Sequence, residues 1–192
     1  AGIPACDDFN RGDNEGVGYF EVNQRAGVRW NATKAFLRPV QERDNLQVWT
    51  GAQISRLLLA HRDAEGSWDG SRRAVGIEVL PQGGGAPVQA RLADGGEVIL
   101  ATGAIGTPQI LQLSGIGPGA LLQQHGIAVE HELAGVGENL QDHLQIRAVF
   151  QVDGVPTLNV LANSWWGKAR IGLEYLVKRS GPMSMAPSQL GA

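Results

Sequence analysis

The sequence of 192 residues contains a single cysteine, Cys6, and no long run of apolar residues or of charges of one sign. One cysteine excludes a disulfide framework within the chain and is compatible with a reducing cytoplasm. No apolar stretch approaches the roughly 20 residues of a membrane-spanning helix, and no signal peptide is visible at the start. A formal net charge of -3 gives no electrostatic reason to expect nucleic acid or an anionic membrane as a partner. We expect a cytoplasmic location, with peripheral attachment to a membrane left open.

Metal-ligand and nucleophile patterns are also missing. The sequence has neither an H-x-x-x-H nor a C-x-x-C pattern, so a metal site has little support. The four histidines are His61, His125, His131 and His143. Ser114 follows a leucine and does not stand in G-x-S-x-G, so no nucleophile elbow is present. His143, in the sequence Asn139-Leu140-Gln141-Asp142-His143, either lines a cleft or satisfies a turn, and we favour the turn. The roles of Asn139, Asp142 and His143 stay open.

Glycine is abundant, with 27 residues, and predicts many tight turns and close backbone approaches. Apolar and alternating runs between turn residues predict a strand-rich meander, with strands at 46–50, 52–60, 74–80 and 88–92. A polar insert over 62–72 predicts a hairpin tip. Asp94-Gly95 predicts a further turn, after which residues 97–100 form a last buried strand. Shorter alternating segments predict strands at 19–23, 127–133 and 147–152.

Four segments carry helix signals. Asn31 is a plausible N-cap for a helix over 31–38 that Pro39 ends. Thr107 and Pro108 predict the start of a helix that ends at about Leu113, because proline is favoured at the first helical position. A short helix over 120–125 precedes Gly126, and an amphipathic helix covers 167–179.

The segment Gly115-Ile116-Gly117-Pro118-Gly119-Ala120 matches the glycine pattern of a dinucleotide site. Such a site needs a strand before the glycines and a full helix after them. Here a Thr-Pro helix start precedes the glycines, and Gly126 leaves room for only about two helical turns. A nicotinamide-dependent Rossmann enzyme is therefore the weaker alternative, and it requires a strand at 110–113.

The most informative stretch of the chain is 101–117, which reads Ala-Thr-Gly-Ala-Ile-Gly-Thr-Pro-Gln-Ile-Leu-Gln-Leu-Ser-Gly-Ile-Gly. It closely resembles the second motif of the glucose-methanol-choline (GMC) oxidoreductases. Further segments occur in the order of that family, at 15–19, 33–39, 45–48 and 135–143. The likeness is nearest to the choline-dehydrogenase-like alcohol dehydrogenases.

The resemblance implies an α+β or α/β fold. It would comprise part of a GMC-type FAD-binding domain (a β-meander, the last sheet strand and short helices) and part of the substrate-binding domain. The implied division gives 1–38 to the cap of the substrate domain, 39–137 to the FAD-binding domain and 138–192 to the substrate-binding domain. The cofactor-binding residues that it implies are Ile54, Ala101, Thr102, Gly103, Ala104, Thr107 and Pro108. Of these, Ile54 would contact the adenine of FAD through its backbone.

The resemblance also implies what this chain lacks. The G-x-G-x-x-G unit that the family has near its N-terminus and the histidine segment near its C-terminus are not present. We therefore expect an internal fragment of an enzyme that oxidises a primary alcohol with FAD and an unknown electron acceptor. The fragment itself would be inactive, would bind FAD weakly and could self-associate through exposed edges. The alternative from another class is a non-catalytic, β-rich binding domain.

Overall fold

The computed structural model describes residues 2–12, 15–60, 72–144, 151–185 and 190–191. The chain divides into two units. The first comprises Ala1–Val48 and Ala148–Ala192, and the second comprises Trp49–Arg147. The described strands are β1 (Gly18–Tyr19), β2 (Gln24–Arg25), β3 (Val28–Arg29), β4 (Ala52–Ala60), β5 (Arg73–Pro81), β6 (Val88–Arg91), β7 (Ile116–Gly117), β8 (His131–Glu132) and β9 (Leu190–Gly191). The α-helices are α1 (Gly103–Leu113), α2 (Gly119–Gln124), α3 (Leu158–Ala162) and α4 (Trp165–Lys178).

The second unit is built on an antiparallel sheet with the order β4-β5-β6. Gly76 in β5 allows the close approach of β6, because a Cβ at this position would collide with the carbonyl oxygen of Ala90. Helix α1 packs on β4, and a short parallel pair joins β7 to β8. The buried apolar residues of the described chain all belong to this unit: Leu57, Val79, Ile110, Leu122 and Val136.

The first unit contains two short antiparallel strand pairs and the helices α3 and α4, which contact each other. Strand β1 pairs with β9, and β2 pairs with β3. Asn31 caps a π-helical turn at Thr33–Leu37 by accepting a hydrogen bond from the Lys34 N–H at 3.1 Å. The turn runs on into a 3-10 turn at Arg38–Val40, so the N-cap prediction holds but Pro39 does not end the helical segment. Further 3-10 turns occupy Phe9–Arg11 and Pro182–Ser184.

Helix α4 follows the predicted amphipathic pattern. It begins two residues earlier than expected, where the Ser164 hydroxyl accepts a hydrogen bond from the Gly167 N–H at 3.0 Å. The last turn ends at Arg179, whose φ of 53° lies in the left-handed region. Helix α2 ends as predicted, because Gly126 has a φ of 69° and the Ile127 N–H bonds the Leu122 carbonyl at 2.9 Å.

Three sequence predictions between residues 46 and 113 are wrong. Residues 46–50 and 97–100 form no strand, although both segments are extended or apolar in pattern. In 97–100 the apolar run has no strand beside it in the described chain, and Ile99 is 82% exposed. Helix α1 begins at Gly103 and not at Thr107, so Pro108 lies inside it.

Other predicted elements are shorter or only partly described. The expected strands at 19–23 and 127–133 shrink to the two-residue strands β1 and β8. The predicted hairpin tip lies outside the described residues except for Arg72. The predicted strand at 147–152 is described only at its last two residues, which form no strand.

Candidate functional site

The first turn of α1 is open to solvent. Residues 101–105 are all exposed, and Gly103 has a φ of 82° that side chains of L-residues rarely adopt. No heavy atom lies within 4 Å of the place where a Cβ on Gly103 would stand. The N–H groups at the start of a helix have no carbonyl partner within it. The turn therefore offers several backbone donors and unobstructed space to an anionic group.

Thr102 leaves these donors free. Its side chain makes no capping bond to the helix backbone, because its hydroxyl lies 2.9 Å from the hydroxyl of Thr107. Gly106 makes room for this contact, since a Cβ there would stand 3.0 Å from the Cβ of Thr102. The threonine pair thus fixes the turn without occupying its N–H groups.

Pro108 changes the same turn from within the helix. Proline has no N–H, so the carbonyl of Ala104 lacks the donor that a helix places four residues later. Ala104 and Pro108 both line a cleft of about 620 Å³ between α1 and residues 135–141. Gln112 closes the floor of this cleft by donating a hydrogen bond from Nε2 to the Val136 carbonyl at 3.1 Å.

The opposite wall of the cleft has an unusual backbone. Gly137 has a φ of 87°, and Asn139 has a φ of 57° in the region that favours glycine. Glu138, Asn139 and Leu140 all line the cleft. Beyond it, the Asp142 carboxylate accepts a hydrogen bond from the His143 N–H at 2.8 Å, and His143 is exposed.

Ile54 lies apart from this cleft. It is half-buried in β4, opposite Val79 in β5. The pairing shifts between Ile54 and Arg56, so the strand is irregular directly after Ile54. Its carbonyl accepts a hydrogen bond from Gln53 Nε2 at 3.3 Å. Of the seven predicted residues, the cleft brings together Ala104 and Pro108, the turn beside it carries Ala101, Thr102, Gly103 and Thr107, and Ile54 lines neither.

Ser114 ties α1 to β4, a contact that the sequence did not predict. Its hydroxyl accepts a hydrogen bond from the Leu57 N–H at 2.8 Å and donates one to the Ile110 carbonyl at 2.6 Å. Ser114 is 7% exposed and is the only buried polar residue in the described part of the chain. Its place in the sequence excluded a nucleophile elbow but gave no sign of a partner 57 residues away.

An ion pair links β4 and β5 next to this contact. Arg56 bonds Glu78 through Nε at 3.2 Å and Nη2 at 3.1 Å, and the Ser55 hydroxyl donates to Glu78 Oε1 at 2.9 Å. The hydrogen bonds from Arg56 and then from Ser55 lower the pKa of Glu78 below its ordinary value. The same pairing raises the pKa of Arg56. Both groups therefore stay charged at neutral pH.

The glycine segment at 115–120 is not a dinucleotide site. Residues 110–113, which would have to form a strand, belong to α1, and α2 has only six residues. A Cβ on Gly119 would collide with the carboxylate of Glu132, so the close approach at this glycine is to a side chain of the same unit. The nicotinamide-dependent Rossmann alternative requires a strand at 110–113, and these residues are helical. Within the described ranges, no three His, Cys, Asp or Glu residues are grouped as metal ligands.

The sequence matches the profile of the GMC oxidoreductases over residues 1–145. The chain belongs to the GMC oxidoreductase family. The resemblance carried by residues 101–117 is thereby confirmed, and so is the mixed α/β fold class.

Two curated relatives fall in the alcohol and choline dehydrogenase group of this family. Alcohol dehydrogenase [acceptor] of Pseudomonas putida is 38% identical over 185 residues, which are 96% of this chain and 31% of the relative. The mitochondrial choline dehydrogenase of Homo sapiens is 38% identical over 191 residues, which are 100% of this chain and 30% of the relative. The chain thus spans about a third of the length of these relatives.

A solved structure has a similar fold. An FAD-dependent oxidoreductase from Chaetomium thermophilum superposes with a TM-score of 0.81 and 30% identity, covering 98% of this chain and 32% of that one. Within the described ranges of the present chain, no helix is both long and apolar enough to cross a bilayer.

Proposed function

We propose that this chain forms part of the FAD site of an oxidoreductase that oxidises a primary alcohol, choline-like or other. Family membership and the two dehydrogenase relatives support the class of reaction. The structural relative described as FAD-dependent supports the cofactor. The chemistry that FAD supplies when bound is the acceptance of a hydride from the alcohol carbon, while the protein binds and orients it.

The open first turn of α1 is the observation on which this proposal rests. FAD carries two phosphates, and helix N-termini bind phosphate through free N–H groups and the helix dipole. Gly103 leaves the space that a ligand would need, and the threonine pair keeps the donors unoccupied. The residues present therefore fit a dinucleotide phosphate. We propose that Ala101, Thr102, Gly103 and Ala104 approach FAD here, with Thr107 and Pro108 holding the turn in shape.

Ile54 has the second role in this proposal. Its backbone would contact the adenine, at the irregular step of β4. The proposal also includes the division of the chain that the resemblance implies, in which residues 39–137 belong to the FAD-binding domain. The segments 1–38 and 138–192 would then belong to the substrate-binding domain.

Partners and location are part of the same proposal. The substrate would be a small alcohol and the acceptor a separate oxidant. We place the protein in the cytoplasm or at a membrane periphery. The chain alone would bind FAD weakly and self-associate, because the extended apolar segment 97–100 has no strand partner in the described residues.

Alcohol-dependent bleaching of flavin tests the proposal. The full product of the gene that encodes this chain is purified, and its absorption near 450 nm is followed without oxygen while primary alcohols, choline included, are added. Loss of the flavin band with a primary alcohol is expected. Stoichiometric flavin that no primary alcohol bleaches would contradict the reaction class. A product without flavin would favour the non-catalytic binding domain.

A further inference from the structure

Gln112, near the C-terminal end of α1, lies between two glycines. Its half-buried side chain donates a hydrogen bond from Nε2 to the Val136 carbonyl at 3.1 Å. A Cβ on Gly117 would stand 3.1 Å from the Cγ of Gln112, and a Cβ on Gly137 would stand 2.8 Å from its Nε2. Both distances are shorter than ordinary contacts, so only glycine at these two positions leaves room for the side chain. Contacts within the second unit therefore fix the position of the Gln112 amide.

The segment that this amide holds has little other support. Residues 135–141, which we call the cleft wall, form no helix or strand. The backbone hydrogen bonds that the described residues give to the wall stay within the turn 133–138. The bond from Gln112 is the only hydrogen bond that the described residues show between α1 and the wall. A single side chain thus sets how the irregular wall lies against the helix.

Gln112 lies at one end of the cleft and Ala104 at the other. Eight residues of helix separate them, which is about 12 Å along the axis. The first turn of α1 and the wall line the same cleft, so a ligand bound at the turn is bordered by the wall. Glu138 in the wall is exposed and lines this cleft as well. A wall that shifts toward the first turn would bring the carboxylate of Glu138 toward phosphates bound there, and like charges repel.

We propose that Gln112 is a positioning residue for FAD, which holds the wall at the distance from α1 that admits the cofactor and does not touch the cofactor itself. This inference rests on the proposed FAD site. Without the bond, the wall adopts other arrangements, and the apparent affinity for FAD falls with the fraction of molecules that keep the competent one. The loss of one neutral hydrogen bond lowers that fraction about two- to ten-fold.

Equilibrium dialysis of the full gene product against FAD tests the proposal. Gln112→Met replaces the amide by an apolar chain of similar length, and the apparent Kd for FAD should rise about two- to ten-fold. Gln123→Met is the matched control, because this exposed side chain of α2 makes no hydrogen bond with the residues that the structure describes. It should bind FAD like the unsubstituted product. At saturating FAD, both variants should keep the absorption and visible circular dichroism of the bound flavin, because neither side chain contacts it.

The pH dependence of Gln112→Glu separates positioning from a general loss of stability. Glutamate has the shape of glutamine, but its ionised carboxylate cannot donate to the Val136 carbonyl, whereas the protonated acid can. At about pH 8 this variant should bind FAD at least as weakly as Gln112→Met, and at about pH 5 its deficit relative to the unsubstituted product should shrink. The deficit of Gln112→Met should be the same at both values of pH, because methionine has no proton to gain.

The outcomes distinguish this inference from the proposed function. Equal FAD affinity in Gln112→Met and the unsubstituted product would overturn the positioning role and leave the FAD site in place. A deficit of Gln112→Glu that does not change with pH would also overturn it, and so would an altered spectrum of the bound flavin in Gln112→Met. A full gene product that takes up no FAD would instead refute the proposed function, and this inference with it.

Discussion

Replacing Ser114 by alanine removes the only described hydrogen bond between β4 and α1 that involves a buried side chain. The Leu57 N–H, now paired at 2.8 Å, loses its acceptor in a buried environment. The Ile110 carbonyl does not lose its last donor, because the Ser114 N–H also bonds it at 3.0 Å. The net loss is therefore one unsatisfied buried donor. Such a group costs about 1–3 kcal/mol of unfolding free energy.

Urea unfolding followed by circular dichroism measures this loss in Ser114→Ala. Ser55→Ala is the matched control. Ser55 lies in β4, as Leu57 does, and its hydroxyl only donates hydrogen bonds, to Glu78. Its removal leaves no backbone N–H unpaired, so exchange of the Leu57 amide should stay unchanged, although the lost bond to the Glu78 carboxylate costs up to about 1.5–3 kcal/mol. Hydrogen exchange at the Leu57 amide should accelerate in Ser114→Ala alone. Equal stability losses in the two variants, with unchanged exchange at Leu57, would refute the role of Ser114 as a link.

Two further predictions concern packing and pH. Gly167→Ala should lower the unfolding free energy by about 1–3 kcal/mol, because its Cβ would collide with the backbone of Leu161. Gly172→Ala in the same helix meets open space and should raise the unfolding free energy by about 0.5–1 kcal/mol; equal effects in urea would contradict the contact. The pKa of Glu78 is lowered in the folded chain, first by Arg56, so its stabilising contribution is present above the unfolded pKa and is lost as pH falls through the folded pKa. Glu78→Gln should therefore lose less urea resistance on acidification than the unsubstituted chain, and identical pH profiles would be evidence against the pair.

Local signals in the sequence predicted the helices and strands that pack on their own neighbours. The amphipathic pattern of α4 and the apolar runs of β4, β5 and β6 each identify one element without reference to the rest of the chain. The resemblance of residues 101–117 identified the family, which the profile match confirms. It also named the turn at 101–104, which is exposed and has open space at Gly103.

The wrong predictions arise where a local sequence signal favours a structure that the rest of the chain does not support. Thr107-Pro108 is a typical helix start, yet α1 begins at Gly103, because a positive φ at glycine turns the chain into the helix one turn earlier. Pro108 is then tolerated at the cost of one backbone bond. The strand expected at 97–100 needs a partner strand, which no local pattern can supply.

The long-range contacts of the site could not be predicted from the sequence. The hydrogen bond from Leu57 to Ser114 joins residues 57 positions apart, and the cleft forms only when 135–141 folds back on α1. Neither follows from spacing or composition.

Flavin retention by a pair of glycine variants tests the central claim most directly. Gly103 and Gly126 have φ values of 82° and 69°, and a Cβ at either would meet nothing within 4 Å. Alanine at the two positions thus imposes a similar backbone strain, but only Gly103 lies at the open turn of α1. In the full gene product, Gly103→Ala is predicted to lower the flavin-to-protein absorbance ratio, whereas Gly126→Ala keeps it. An equal ratio in both variants would contradict the placement of FAD at this turn.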